Sequence, residues 1–328
     1  MPDGRRGGYM TDLVTFGEAM LRFSPPDEER LETADQYDVH VAGAESNVAV
    51  AADRLGLDAV WTSKLPDSAI GRKVVGELQR HGIGVDVVWD DSAGSRQGTY
   101  YLEEGQPPRG SEVIYDRANA SVTTTRIDEL PTELIEAADG LHTTGITPAL
   151  SDTVAETTAE LLARATAAGT VTSFDLNYRS NLWEPEAAKA GYTELFPDID
   201  VLFAAERDAR TILDRNGDAE AIARGLDEEY GFEVVVITRG ADGATAVVDG
   251  EALEQSIYEA TDAYPVGTGD SFVGGFLSQY LRGESVSDAL AWGAATAAFK
   301  RSVPGDIAVI SRDEVTEVIE GETEAISR

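Results

Sequence analysis

The sequence predicts an α/β fold in which helices cover both faces of a central, mostly parallel sheet and a small β lid lies over one edge of that sheet. Continuous apolar runs such as Val234-Val235-Val236-Ile237 are typical of parallel strands buried on both faces. Stretches with helical periodicity separate these runs, as the crossovers between parallel strands require. Two stretches, at about 20–42 and 96–117, contain strand patterns without an intervening helix and predict the lid.

The main sheet and its helices are assigned in chain order. Ser151 is a suitable N-cap for the second predicted helix. Ser285 and Ser311, each followed three residues later by an acid, resemble the capping boxes of two late helices. Strands are predicted at 13–16, 171–174, 201–203 and 234–237, and helices at 45–55 and 151–168.

Polar residues directly follow three of these strands. Asp175, Glu206 and Gly240 come after the second, third and fourth strand of the predicted sheet. Open α/β sheets bind their ligands beyond the carboxyl ends of the strands, so we expect a binding site at that edge.

The lid is predicted from four short strand patterns and the turn-rich loop 103–110. An ordinary pair of surface hairpins is the alternative interpretation of the same patterns. Neither a repeat nor a linker interrupts the chain, so residues 11–328 are expected to form a single domain. Residues 1–10 lack an apolar segment and are expected to be a flexible tail rather than a signal peptide. The lid strands are predicted at 20–23, 39–41, 98–102 and 113–115.

The composition limits the partners of the protein. The 328 residues include 26 Lys+Arg and 60 Asp+Glu, which gives a net charge of −34. Nucleic acid and anionic membrane surfaces would repel such a chain. The acids are spread over the whole sequence, which favours adaptation to a high-salt cytoplasm, where self-repulsion is screened. The absence of cysteine from the sequence excludes disulfides and thiolate metal sites.

The loop Gly267-Thr268-Gly269-Asp270 precedes an apolar helical stretch and is the most informative segment of the sequence. Two glycines allow a tight turn, and the following helix directs unsatisfied N–H groups at the loop. Such a loop can hold a transferring phosphoryl group while Asp270 accepts a proton from an attacking hydroxyl. The alternative is a Gly-rich turn in which Asp270 only caps the helix.

Four separated motifs, taken together, resemble the ribokinase-like carbohydrate kinases, also called the PfkB type. The motifs lie at 42–49, 174–183, 205–208 and 267–272, and the resemblance covers about residues 12 to 320. It implies a ribokinase-like fold and a kinase that uses ATP. Within the family, Pro265-Val266 resembles the 2-keto-3-deoxygluconate kinase branch, and the acidic composition suggests a member of the halophilic archaeal type.

The resemblance assigns catalytic roles to the glycine loop. Asp270 would be the base that activates the sugar hydroxyl. The backbone N–H groups of Gly267, Thr268 and Gly269 would stabilise the negative charge of the transferring phosphoryl group. The Walker motif, which performs this task in another fold, is absent from the sequence.

Metal and nucleotide sites are also implied by the resemblance. Glu206 and Asp208 are similar to the family's NExE motif, which holds Mg²⁺ largely through water; here Ala205 replaces Asn and Asp208 replaces the second Glu. Tyr264 stands where the family often has an Asp that helps to bind a monovalent cation, so activation by K⁺ at that position is in doubt. The turn residues Thr238, Gly240 and Gly243, together with Gly267 and Gly269, resemble the nucleotide contacts; a plain turn after a strand is the alternative for the first three.

The first half of the chain indicates the sugar. The stretch 43–49 is similar to the GAExNVA motif of 2-keto-3-deoxygluconate kinases, and 115–117 resembles their Y-x-R. Arginine binds carboxylates through paired donors, so Arg117 and Arg179 suit an acid sugar. Salt bridges to nearby acids are the alternative role for both arginines. The predicted substrate-binding residues are Gly43, Ala44, Asn47, Tyr101, Tyr115, Arg117, Asn177, Arg179 and Asp270.

The resulting expectation is phosphorylation of 2-keto-3-deoxygluconate at its terminal hydroxyl to the 6-phosphate, with the galactonate epimer also accepted. Fructokinase or another sugar kinase of the same family is an alternative, because fructokinases of the family also carry DxNxR. A sugar-sensing pseudokinase is a second alternative, of a different class. The lid strands offer unpaired edges, which predicts a homo-oligomer.

Overall fold

A computed structural model describes residues 11–26, 29–105, 108–261 and 263–321. The tail predicted at 1–10 and residues 106–107 of the predicted loop tip lie outside the described residues. Within the described ranges the chain forms thirteen strands: β1 (Leu13–Phe16), β2 (Met20–Ser24), β3 (Asp38–Ala42), β4 (Ala59–Pro66), β5 (Gly84–Asp90), β6 (Thr99–Glu103), β7 (Glu112–Asp116), β8 (Gly140–Thr144), β9 (Val171–Asp175), β10 (Val201–Ala205), β11 (Val234–Thr238), β12 (Ala244–Val248) and β13 (Glu251–Gln255).

Nine strands form the main sheet in the order β13-β12-β11-β10-β9-β8-β1-β4-β5. The pairs from β11 to β5 are parallel, whereas β12 and β13 add two antiparallel strands at one edge. Asp249 and Gly250 connect β12 to β13, and both have positive φ values, of 49° and 72°. Such a two-residue turn matches the twist of an antiparallel pair. The predicted mostly parallel sheet is therefore confirmed.

Helices cover both faces of this sheet. The described ranges contain ten α-helices: α1 (Ala44–Arg54), α2 (Ala69–Arg80), α3 (Thr132–Ala137), α4 (Asp152–Ala168), α5 (Pro185–Leu195), α6 (Glu206–Ile212), α7 (Ala219–Tyr230), α8 (Thr268–Tyr280), α9 (Val286–Lys300) and α10 (Arg312–Glu320). None of these helices is both long and apolar enough to span a bilayer.

Alternate residues of one strand contribute to two separate cores. In β11, Val235 and Ile237 pack into the cluster formed with α4, α5 and α7. Val234 and Val236 pack into the opposite cluster, formed with α1, α8 and α9. All four side chains are buried, so the strand has no polar face. Burial on both sides explains why its sequence is continuously apolar rather than alternating.

The predicted helix starts are also found. The Ser151 hydroxyl accepts a hydrogen bond from the Val154 N–H at 3.2 Å and caps α4. At α10, Ser311 and Glu314 form the complete capping box, each side chain bonding the backbone N–H of the other residue. At α9, the Ser285 hydroxyl accepts from the Asp288 N–H and donates to the carboxylate of the same residue.

The four predicted lid strands form a second sheet in the order β3-β2-β6-β7. Strand β2 is antiparallel to β3 and parallel to β6, and β6 is antiparallel to β7. Tyr100 of β6 lies opposite Tyr115 of β7, and their rings are 5.6 Å apart between centroids. On the other face Tyr101 stacks on Phe23 at 5.4 Å. The small sheet therefore presents different aromatic residues on its two faces.

Candidate active site

A cavity of about 630 Å³ lies between the carboxyl ends of the main strands and the small sheet. Asp175, Ala205 and Thr238 end β9, β10 and β11 and line the cavity from the main sheet. Tyr100 and Tyr115 line it from the small sheet. Of the residues predicted from sequence, the cavity brings together Gly43, Ala44, Asn47, Tyr115, Arg117, Asn177, Arg179, Asp208, Thr238, Gly267, Thr268, Gly269 and Asp270.

Tyr101 is not among the residues that line this cavity. Successive side chains of a strand point to opposite faces, and Tyr100, its neighbour in β6, is the one that lines the cavity. The Tyr101 ring instead contacts Phe23 and Tyr37 on the far face of the small sheet. The structure therefore places the aromatic contribution of β6 one residue earlier than the sequence analysis did.

The predicted metal pair is divided by the start of α6. Asp208 is buried, lines the cavity and accepts a hydrogen bond from Arg207 Nε at 2.8 Å. Glu206 is the first residue of the helix, forms an ion pair with Arg210 and does not line the cavity. Of Glu206 and Asp208, only Asp208 therefore lies where its carboxylate can reach a ligand bound in the cavity.

The two glycines after β11 lie outside the cavity lining as well, although Thr238 belongs to it. Gly243 has a φ of 88°, and a Cβ atom there would lie 2.1 Å from the carbonyl oxygen of Gln255. Gly240 also has a positive φ, of 59°, and has open space around it. Gly243 is therefore explained by the close approach of β13, independently of any nucleotide.

The glycine loop closes tightly against the segment that follows α9. Gly267 has a φ of 80°, and a Cβ atom there would lie 2.0 Å from the carbonyl oxygen of Asp306. The Thr268 hydroxyl donates to the carbonyl of Pro265 at 2.7 Å, and the Ser271 N–H donates to that of Gly267 at 2.9 Å. Helix α8 starts at Thr268, so its first N–H groups lie at the cavity and form a suitable place for an anion.

Asp270 lies in the first turn of α8 and is half-buried in the cavity wall. Its Oδ2 accepts a hydrogen bond from Asn47 Nδ2 at 2.8 Å, and the Asn177 side chain is a further hydrogen-bond partner. Burial raises the pKa of Asp270, whereas Asn47 and the positive charge of Arg179 lower it. Three of the four sequence motifs therefore meet at this carboxylate, which is the geometry expected of a base.

Asn177 reaches this position through a strained backbone. Its φ is 37°, a region that Asn tolerates better than most residues. The N–H of Asn177 donates to Asp175 Oδ1 at 3.1 Å, and this bond stabilises the turn after β9. Asn177 lines the cavity, and strained backbone conformations commonly occur at functional sites.

The cavity also contains two acids, Asp175 and Glu45, to which the sequence assigned no binding or catalytic role. Burial, with the neighbouring charge of Asp270, raises the pKa of Asp175 to about 7. Burial likewise raises the pKa of Glu45 to about 7, although the hydroxyls of Thr144 and Thr147 each donate to this carboxylate at 2.7 Å. Asp175 follows a strand at the ligand-binding edge, a signal that was visible in the sequence. Crowded carboxylates of this kind favour protons or bound cations.

The oxygen donors of the cavity fit an ion that retains water. In the described parts of the chain no group of three or more His, Asp or Glu side chains is arranged to hold a metal. Asp175 and Asp208 nevertheless line the cavity and carry carboxylate groups. Mg²⁺ prefers such oxygens and usually takes its other ligands from water and substrate phosphates. These two acids are therefore the residues suited to hold it.

The two predicted arginines differ in their partners. Arg117 forms an ion pair with Glu18, a buried cavity residue, and its guanidinium lies 5.5 Å from the centroid of the Tyr115 ring. The Nε atom of Arg117 is buried and has no hydrogen-bond partner among the described residues. Arg179 is exposed at the cavity, and its side chain donates to the carbonyl of Tyr178. Arg179 thus keeps guanidinium donors that a bound anion can use, whereas Arg117 lines the cavity already paired with Glu18.

Comparisons with known proteins agree with this geometry. The family profile described as pfkB family carbohydrate kinase matches residues 10–312. A 2-dehydro-3-deoxygalactonokinase of Haloferax volcanii is 56% identical over 317 residues, covering 97% of this chain and 99% of that protein. A 2-dehydro-3-deoxygluconokinase of Bacillus subtilis is 32% identical, covering 90% of this chain and 91% of that protein.

A solved structure extends the likeness to three dimensions. The crystal structure of 2-dehydro-3-deoxygluconokinase from Thermotoga maritima superimposes with a TM-score of 0.88 at 32% identity. The match covers 95% of this chain and 100% of that one. The family profile spans both the glycine loop and the small sheet, and the relatives align over nearly their full lengths. The chain therefore belongs to the pfkB family of carbohydrate kinases and is itself a carbohydrate kinase.

Proposed function

We propose that this kinase transfers the γ-phosphoryl group of ATP to the terminal hydroxyl of a 2-keto-3-deoxy acid sugar and forms the 6-phosphate. The observation that carries the proposal is the position of Asp270. Its carboxylate is held by Asn47 beside the first turn of α8, in a cavity that also contains Arg117 and Arg179. A base, an anion site and two cations are the groups that an acid sugar and a nucleotide need.

The residues have distinct tasks in the proposed reaction. Asp270 accepts the proton of the sugar hydroxyl as its oxygen forms a bond to the γ-phosphorus. The bond from that phosphorus to the bridging oxygen breaks, and ADP leaves with the electron pair. The N–H groups of Gly267, Thr268 and Gly269 stabilise the charge on the phosphoryl oxygens. Asp175 and Asp208 would hold Mg²⁺, which supplies neutralisation of phosphate charge when bound.

The substrate epimer is proposed from the relatives. 2-Dehydro-3-deoxy and 2-keto-3-deoxy are two names for one class of acid. The relative at 56% identity is named for the galactonate and the relative at 32% for the gluconate. The two acids differ in one inverted hydroxyl, a difference that a pocket discriminates weakly unless it hydrogen-bonds that group. We therefore propose that both epimers are phosphorylated and that the galactonate is preferred.

Lid closure and a high-salt setting complete the proposal. The small sheet covers the cavity with Tyr100 and Tyr115, and its closure over the sugar would keep water from the phosphoryl group. Val113 and Ile114 of the edge strand β7 are 38% and 48% exposed, which suits pairing of two lids in a homodimer. The net charge of −34 suits a salt-rich cytosol.

A substrate panel tests the proposed function. ATP consumption is measured in molar KCl with 2-keto-3-deoxygalactonate, 2-keto-3-deoxygluconate, fructose and ribose. We expect kcat/KM for both acids to exceed that for fructose by roughly 100-fold or more, because only the acids gain a bond to a charged arginine. Equal rates with fructose would favour a fructokinase. Binding of an acid sugar without turnover would favour a sensor.

Removal of the lid arginine should change specificity rather than general activity. Arg117→Ala is expected to lower kcat/KM for the acid sugar roughly 10- to 100-fold, because a charge-assisted bond to the carboxylate is lost. Turnover of fructose at high concentration should change much less. The ratio of the two substrates is the measurement, since it cancels any general damage to the fold.

Two control variants make this result specific. Arg117→Ala leaves Glu18 buried without its partner, so the double variant Arg117→Ala/Glu18→Gln is measured beside it. Arg96→Ala removes the same charge near β7, where Arg96 pairs with Asp116 at 2.7 Å outside the cavity lining, and should leave the ratio unchanged. Equal losses on acid sugar and fructose in the double variant would contradict the carboxylate role of Arg117.

A further inference from the structure

Lys300 is a buried cation that the proposed reaction does not use. It is the last residue of α9, and its side chain has a relative exposure of 0%. The chain contains four lysines, and the other three are all accessible to solvent. A buried ammonium is costly unless its surroundings compensate for the loss of water. A functional reason is therefore needed for its position.

The ammonium joins the two segments that define the glycine loop. Lys300 Nζ donates to the carbonyl oxygen of Tyr264 at 3.3 Å and to that of Val303 at 3.0 Å. Tyr264 lies three residues before Gly267, and Val303 lies three residues before Asp306, whose carbonyl contacts the backbone of Gly267. A single charge thus links the start of the loop with the segment on which it rests.

The same charge acts on the cavity. Among the described residues, the ammonium group donates hydrogen bonds to these two carbonyl oxygens, and both carbonyls are neutral. Its field is therefore only partly compensated by direct contact. It lowers the pKa values of Asp270 and Asp306, which burial otherwise raises, and it favours anions at the neighbouring helix start. Lys300 thus links two segments through its hydrogen bonds and places a positive charge beside the cavity. Burial lowers the pKa of Lys300, whereas the neighbouring charges of Asp306 and Asp270 raise it.

We propose that Lys300 is a positioning residue that serves as the built-in cation of the glycine loop, in place of a dissociable monovalent ion. Two carbonyl oxygens that converge on one buried positive charge form a partial cage, and K⁺ or ammonium would suit the same oxygens if the side chain were removed. The inference rests on the proposed role of the loop that carries Asp270. It agrees with the doubt about K⁺ activation that Tyr264 raised in the sequence.

The first test uses the unmodified protein. Its kcat is measured in KCl, NaCl and choline chloride at one high ionic strength, with stability followed by circular dichroism under each condition. We expect kcat for the folded protein to differ by less than about twofold between KCl and choline chloride, because no site for a dissociable ion has to be filled. Activation by K⁺ of tenfold or more over choline, at equal folded fraction, would overturn the proposal.

The second test replaces the side chain. Lys300→Ala is expected to lose roughly 100-fold in kcat in choline chloride, because the loop is no longer held in register, and to regain at least about tenfold with KCl or NH₄Cl. Its melting temperature should rise in KCl over choline by several degrees, an effect absent from the unmodified protein. Lys300→Met fills the space without charge, so its kcat should fall and should not recover with salt identity.

Controls separate this inference from the proposed function. Lys189→Met removes a surface lysine paired with Asp214 and should show neither loss nor salt dependence. If Lys300→Ala does not fold, the kcat of Lys300→Met and the salt dependence of the unmodified protein still test the positioning role of Lys300. A folded Lys300→Met with kcat within about threefold of the parent refutes the positioning role. Asp270→Asn is measured in the same salts. If it loses activity and no cation restores it, the assignment of Asp270 as the base stands independently of the results for the Lys300 variants.

Discussion

Asp270→Asn is expected to lower kcat by roughly 1,000-fold or more, because the variant keeps the shape of the side chain and loses its ability to accept a proton. The amide oxygen of the new residue can still accept the hydrogen bond that Asn47 donates at 2.8 Å. Binding of the sugar should therefore change little, and the loss should appear in kcat rather than in KM. Steady-state kinetics with the preferred acid sugar at saturating ATP measure both quantities.

The pH dependence provides a second check on the same carboxylate. Burial raises the pKa of Asp270, so we expect kcat/KM of the parent enzyme to fall on the acid side at a pH above the usual range of an aspartate. The fall reflects protonation of the base. The residual rate of Asp270→Asn should not show this fall at acidic pH. Asp175 and Asp306 titrate nearby, so the observed pKa belongs to the group of acids rather than to one of them.

Stability is the control that identifies a catalytic loss. A folded-state pKa above the unfolded value means that ionised Asp270 opposes folding at neutral pH, and this cost appears as the pH rises through the folded pKa. Asp270→Asn should therefore melt at or above the temperature of the parent. Asp242→Asn, at an exposed position after β11, is the matched control and should retain full activity. A stable Asp270→Asn within tenfold of the parent kcat would contradict the base assignment.

The sequence predicted those parts of the fold in which local pattern and tertiary environment agree. Strand β11 is apolar throughout because both of its faces are covered, and Ser151 marks a helix start by its own hydrogen bond. The hairpin β12–β13 was not assigned, although Asp249-Gly250 between two short runs is a recognisable turn signal. That signal could have placed the antiparallel edge of the sheet.

The site was predicted less completely because its composition depends on contacts between distant segments. The face of β6 that meets the cavity is fixed by pairing with β2 and β7, so sequence alone could not distinguish Tyr100 from Tyr101. The ion pair of Arg117 with Glu18 joins residues 99 positions apart. In a chain with 60 acids, no local pattern singles out Glu18 as the partner. Long-range pairing of this kind requires the folded arrangement.

Gly267→Ala is expected to affect activity and stability together, because two independent constraints act at this position. A φ of 80° disfavours any residue with a Cβ atom by about 1–2 kcal/mol. The Cβ atom would also lie 2.0 Å from the carbonyl oxygen of Asp306, so the loop or the segment beneath it has to move. Misplacement of a reacting group by about 1 Å costs on the order of 100-fold in rate, and we expect at least that loss in kcat.

Gly231→Ala separates these two constraints. Gly231 ends α7 with a φ of 77°, and a Cβ atom there would meet no atom within 4 Å. The control variant should lose about 1 kcal/mol of unfolding free energy and no activity, because it adds backbone strain without a collision far from the cavity lining. Gly267→Ala should lose more than about 2 kcal/mol in the same urea titration. The expectation is contradicted if Gly267→Ala and Gly231→Ala lose equal stability and Gly267→Ala keeps its kcat. That result would show that the loop tolerates displacement. The charge at the start of α8, rather than the fixed position of its N–H groups, would then support phosphoryl transfer.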